Sequence, residues 1–106
     1  MQVNLNSNVY LIRDLLSKLL NNARIVPIGS MMGVYPHGTS LAYGMTKSAI
    51  HALAKNLMKV FEGTGTTVNA IAPGFIETDM TAVLPENIKE GLLGSIPLGR
   101  LGQAEE

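Results

Sequence analysis

Two short apolar segments, Ile25-Val26-Pro27-Ile28 and Thr66-Thr67-Val68-Asn69-Ala70-Ile71, stand on either side of one long helical stripe. That order leaves few folds open. Short runs rich in Ile and Val are of buried-strand type. Between them Ala42, Met45, Ala49, Leu53, Leu57 and Val60 recur at helical spacing. Ser40 is placed as an N-cap, and Gly63 and Gly65 as terminators, so the pattern predicts a helix over 41–62. Two strands joined by such a helix form a parallel pair with a right-handed crossover. A parallel sheet needs cover on both faces, and two strands make a poor sheet. The expected fold class is therefore α/β, the C-terminal part of a doubly wound parallel sheet in the order α-β-α-β-α.

The remaining segments fit that order. Leu5, Val9, Ile12, Leu16 and Leu19 predict a helix over 5–20, with Leu11, Leu15 and Leu20 widening its stripe enough to be covered on two sides. Asn21-Asn22 stop it. Pro27 removes one ladder hydrogen bond from the first strand, and residues 29–40 read as loop. Pro73-Gly74 breaks the second strand. A further short helix follows Thr78, with Pro85 and Glu86 suited to its start and Ile88, Leu92 and Leu93 as its stripe. Gly94, Pro97, Gly99 and Gly102 make a loop-rich tail. Residues 1–106 are expected to be one partial domain, with Met1 internal to a longer protein.

Composition narrows the chemistry. The chain has no cysteine, which excludes disulfide scaffolds, zinc–thiolate and iron–sulfur sites and cysteine nucleophiles. Eight cations balance eight carboxylates, so general nucleic-acid affinity is not expected. The charges are split: residues 1–60 carry six cations against Asp14 alone, which reads first as a folded chain with two charged faces, the functional alternative being an anionic ligand near the basic half. Residues 25–46 carry no formal charge, but Pro27, Gly29, Gly33, Pro36 and Gly38 make a bilayer span untenable. With no signal-peptide pattern at the start, a soluble, cytoplasmic protein is expected.

The candidate chemistry lies in Gly29-Ser30-Met31-Met32-Gly33 and Tyr43-Gly44-Met45-Thr46-Lys47. Tyr43 and Lys47, four apart near a helix start, share one face. A free phenol holds its proton too tightly for proton transfer at neutral pH, and a nearby cation favours the phenolate. A Tyr–Lys pair can thus act as general acid or base. Ser30 ends a strand, where ligand sites of parallel α/β sheets gather, and can hold a carbonyl oxygen. The bland alternative is a surface tyrosine stacked on a lysine stem. A hydrolase elbow is not expected, because Ile28 stands where that motif needs glycine. His37 and His51 are possible bases for Ser30, although His51 falls two turns beyond Tyr43. Neither histidine has a carboxylate at metal-ligand spacing. Met31, Met32 and Met80 are candidates for an adaptable pocket, whereas Met45 and Met58 are expected in the core.

Serine, Tyr-x-x-x-Lys and a Pro-Gly turn in this order resemble the short-chain dehydrogenase/reductase family. The likeness runs through Val3-Asn4-Leu5, Arg24–Ser30, Ala42–Ala49 and Thr67–Met80. It implies a Rossmann-like fold, of which this chain is the C-terminal, catalytic half. It also implies oxidoreductase activity: reduction of a carbonyl to a secondary alcohol with NADP(H), ahead of NAD(H), as cofactor. By resemblance, Tyr43 is the proton donor and Ser30 orients the carbonyl oxygen. Lys47 holds the nicotinamide ribose and assists Tyr43, and Asn4 holds a water in the proton relay. Pro73, Gly74, Ile76 and Thr78, together with Tyr43 and Lys47, line the cofactor. Asn4 and Thr78 also suit helix N-caps. Residues 74–81 and 96–102 look most like β-ketoacyl-acyl-carrier-protein reductases, which implies a 3-oxoacyl thioester or similar substrate, small or carrier-bound, and fatty acid biosynthesis. Helices 5–20 and 41–62 then imply a homodimer or homotetramer in the complete protein. The diphosphate-binding glycine turn is absent: Gly63-Thr64-Gly65 follows a helix, and Val68 stands where a third glycine is needed. The competing expectation is a truncated chain with only a structural role.

Overall fold

Arg24–Ile25 (β1) and Thr67–Val68 (β2) pair in parallel, Arg24 opposite Thr67 and Ile25 opposite Val68. The structure is a computed structural model describing residues 2–35, 38 and 40–106. His37 lies outside the described residues. The ladder runs further than the regular strands. Asn69 N–H donates to Ile25 O and Ile71 N–H to Pro27 O, both at 3.0 Å, and Gly29 N–H donates to Ile71 O at 2.8 Å. The rung missing between them is the one Pro27 has no hydrogen to form. This shortens both strands relative to the apolar segments and leaves an isolated bridge, Ile28 to Ile71, immediately before Ser30.

The crossover is the helix Leu41–Val60 (α3), close to its predicted bounds. Ser40 occupies the N-cap position but makes no side-chain cap bond. The buried face is turned about the helix from the expected one, sharing Leu57 with it. Thr46, Ile50, Ala54 and Leu57 are buried, whereas Met45 is 61%, Met58 56% and Val60 59% exposed. Periodicity locates a broad apolar stripe without saying which edge of it meets the sheet. The row Ala54, Leu57, Phe61 packs on Val68, with Ile12, Leu19, Ile25, Leu53 and Ala70 partly buried around it. Met45 and Met58 are therefore surface residues. The turn after α3 uses its glycines as expected: Gly63 and Gly65 have φ of +82° and +78°.

The first helical segment is broken where one helix over 5–20 was expected. A π-helical turn, Gln2–Asn6, leads into Ser7–Asp14 (α1), and Leu15 at φ −99°, ψ 7° separates it from Leu16–Leu19 (α2). Neither α1 nor α2 has a fully buried residue. Ile12 and Leu19 pack against the core.

The chain divides into two compact units, the first ending at Ala72 and the second being Pro73–Glu106. The second unit holds Asp79–Ala82 (α4) and Glu86–Ser95 (α5), with Pro85 at the N-cap of α5. Its tail is not all loop. Ile76 and Gly102 form a parallel bridge, with Glu77 N–H donating to Gly102 O at 2.7 Å and Gly102 N–H to Phe75 O at 3.0 Å. Arg100 grips Glu106 through its two terminal guanidinium nitrogens at 3.0 and 2.8 Å. Among the described residues, no helix is long and apolar enough to cross a membrane.

Candidate active site

Ser30 leaves the ladder in extended conformation, φ −165° and ψ 152°, and caps a short 3-10 turn, Met31–Gly33. Its Oγ accepts the Met32 N–H at 3.2 Å. That bond occupies an oxygen lone pair and leaves the hydroxyl proton available to a ligand oxygen. Ser30 is buried, at 7% exposure.

The turn is latched to the start of α3. A Cβ on Gly33 would lie 2.7 Å from the carbonyl carbon of Lys47 and 2.8 Å from the Ser48 nitrogen, so only glycine allows this approach. Ser48 Oγ donates to Gly33 O at 3.0 Å. The contact brings the Ser30 turn against the same two helical turns that carry Tyr43 and Lys47. Lys47 Nζ lies 5.7 Å from the centroid of the Tyr43 ring, within cation–π range. The same ammonium donates to Ile28 O, in the bridge that continues β1, at 3.3 Å. One cation thus joins the phenol to the strand end that delivers Ser30. Tyr43 is 41% exposed and accessible to a ligand.

His51 belongs to this arrangement in a way its sequence position did not convey. Its Nε2 lies 3.3 Å from Ser30 N and 3.2 Å from Ser30 O. The ring fills the space a side chain at 29 would take, since a Cβ on Gly29 would fall 2.2 Å from Nε2. His51 therefore meets the backbone of Ser30, and the hydroxyl is bonded to Met32 instead. This is not the base–nucleophile pairing of a hydrolase. A usable signal was present: Tyr43, Lys47 and His51 are spaced by four and fall on one helical stripe.

Asn4 sits inside the π-helical turn, which packs on α3. The N-cap reading is overturned, because Asn6 holds that position for α1 and makes no side-chain cap bond. Asn4 O accepts from Asn8 Nδ2 at 2.6 Å.

Pro73, Gly74, Ile76 and Thr78 belong to the second unit. Thr78 is the N-cap of α4, its N–H held by Thr81 Oγ1 at 2.8 Å. Ile76 makes the bridge to Gly102, where a Cβ would come within 2.9 Å of Ile76 Cδ1. Beside them lies a cavity of about 300 Å³ lined by Glu77, Thr81, Lys89, Leu93, Arg100 and Leu101. At its rim Gln103 Nε2 donates to Glu77 Oε2 at 2.6 Å. Arg100 first, then the Gln103 N–H, hold the Glu106 carboxyl down to about 2.

Residues 1–89 match the family model described as short chain dehydrogenase. A 3-oxoacyl-acyl-carrier-protein reductase of Pseudomonas aeruginosa is 48% identical over 83 residues, covering 78% of this chain and 34% of that protein. The reductase of the same name from Haemophilus influenzae is 39% identical over 108 positions, covering all of this chain and 45% of that one. A crystal structure of a 3-oxoacyl-acyl-carrier-protein reductase from Brucella melitensis superposes with a TM-score of 0.87 at 31% identity, over 94% of this chain and 38% of that one. The chain thus spans less than half the length of these relatives.

Proposed function

Because the chain belongs to the short-chain dehydrogenase family, we propose that it carries the catalytic half of a nicotinamide-dependent carbonyl reductase. Tyr43 is its general acid and Ser30 the donor that holds the carbonyl oxygen. The observation that carries this reading is the Lys47 ammonium, set between the Tyr43 ring and the strand end leading to Ser30. In reduction, Ser30 O–H bonds the substrate oxygen while its lone pair stays with Met32 N–H. Tyr43 then gives its proton to the same oxygen, and Lys47 stabilises the phenolate left behind. Asn4, in the π-helical turn against α3, is the candidate for holding a relay water that returns the proton.

The donors present suit the nicotinamide end of a dinucleotide. An ammonium has three donors, of which Ile28 O takes one, leaving Lys47 able to bond ribose hydroxyls. The cofactor would supply the hydride. Pro73, Gly74, Ile76 and Thr78 are the further residues we assign to it. A 3-oxoacyl thioester or similar substrate is supported by likeness to the 3-oxoacyl-acyl-carrier-protein reductases. NADP(H) ahead of NAD(H), cytoplasmic location and homodimeric or homotetrameric assembly belong to the same proposal as what the family resemblance implies.

The test joins this chain to a glycine-rich nucleotide-binding half and measures reduction of a β-ketoester. Tyr43→Phe should lower kcat by about 10²–10⁴-fold with nucleotide Kd little changed. A variant that keeps most of its kcat overturns the assignment.

A further inference from the structure

A serine hydroxyl is only as well aimed as the backbone that carries it. The backbone of Ser30 is fixed on three sides. Before it, Gly29 N–H is tied to Ile71 O at 2.8 Å. After it, Ser30 O accepts from Gly33 N–H at 2.9 Å, closing the 3-10 turn. The Ser30 amide itself points at neither the sheet nor the turn. Its acceptor among the described residues is His51 Nε2 at 3.3 Å.

One imidazole nitrogen faces both the amide and the carbonyl of Ser30 and can serve only one of them. Gly33 already supplies a donor to the carbonyl, so the amide is the partner in need. We infer that His51 is a positioning residue: through Nε2 it accepts the Ser30 N–H and thereby fixes the direction of the Ser30 hydroxyl. The bare Cα of Gly29 supports this, because it leaves room for the imidazole alone. So does the stripe Tyr43, Lys47, His51, which hangs the proton donor, its cation and the serine's backbone support on one helix face. A rigid helix holds such a group more closely than a loop does. The inference rests on the proposed role of Ser30 and deepens it by naming what holds that serine in register.

A double-mutant cycle tests it, in the chain completed with a nucleotide-binding half and assayed with NADPH and a β-ketoester. His51→Leu removes the acceptor while keeping an apolar body of similar reach. Its kcat should fall about 10- to 100-fold, the loss expected when a reacting group is misplaced by a fraction of an ångström to an ångström. Nucleotide Kd and Tm should stay close to the parent's. His51→Gln, whose amide oxygen reaches the Nε2 position, should recover most of that loss, and the shorter His51→Asn should not. In a Ser30→Ala background, His51→Leu should cost nothing further in kcat. If His51→Leu fails to fold, the contrast between Gln and Asn decides the matter. Full kcat in His51→Leu or in His51→Asn, or an equal loss with and without Ser30, overturns the inference while leaving the Ser30 assignment standing. A Ser30→Ala enzyme at full speed overturns both.

Discussion

Gly29 and Gly33 flank Ser30, and a methyl group at each would meet a different obstacle. At 33 the obstacle is main chain, the Lys47 carbonyl and Ser48 nitrogen, which α3 holds rigidly. At 29 it is the tip of the His51 side chain, which can swing away. Gly33→Ala should therefore destabilise the first unit by about 1–3 kcal/mol, the range for overpacking against an unyielding wall. Gly29→Ala should lower Tm less than Gly33→Ala while slowing turnover as His51→Leu does. Thermal melts of the two variants side by side check the contrast, and equal losses in Tm contradict it. The chemical residues were the legible part of this site. Ser30, Tyr43 and Lys47 stand out because spacing along a helix and position at a strand end are sequence properties. His51 was read only as a possible base two turns beyond Tyr43; its contact with Ser30 was not legible because the partner is a backbone amide, and backbone partners leave no residue type to recognise.

At the scale of elements, α3 shows what a pattern can and cannot convey. Its length and both ends were readable from Ser40, Gly63 and Gly65. Its buried face was not, since the expected stripe shares Leu57 with the face that packs on β2 but turns Met45 and Val60 to an exposed side. That exposed apolar face is the surface proposed for self-association, and scattered charge on it should be tolerated by the fold. Val60→Glu should leave Tm within a few degrees and convert the completed protein to a monomer, as read by light scattering. An unchanged oligomer contradicts this. In the second unit, the link between Arg100 and Glu106 makes its own pH prediction. The Glu106 carboxyl is lowered from 4.5 to about 2 in the folded chain, so it binds protons more readily when unfolded. Its contribution is complete above pH 4.5 and is lost as pH falls towards 2. Both groups are exposed, so the effect is local and salt-sensitive. A carbon-13 NMR titration of Glu106 should show its midpoint well below that of an ordinary glutamate, and Arg100→Gln should restore the ordinary value.

For the whole molecule, the parallel pair and its crossover were evident from two apolar runs and a helix, whereas the Ile76–Gly102 bridge was not, because a glycine-rich tail reads as loop whether or not its backbone is paired. The residues proposed for the cofactor would serve the nicotinamide end of a dinucleotide, and the 106 residues contain no glycine turn for its diphosphate. Residues 1–106 expressed alone should give no binding heat with NADPH or NADH in calorimetry, and a stoichiometric site of micromolar Kd contradicts this. Val26 and Ile28, whose backbone groups face away from β2, give β1 an edge open to further pairing. One acceptor on that edge, Ile28 O, is held by Lys47. A carbonyl oxygen has two lone pairs, so a strand laid along that edge can bond Ile28 O while Lys47 stays on it. The oxygen that closes the sheet and the oxygen that steadies the lysine are then the same atom, and a neighbouring strand would tether the ammonium to the sheet rather than leave it on a loose end.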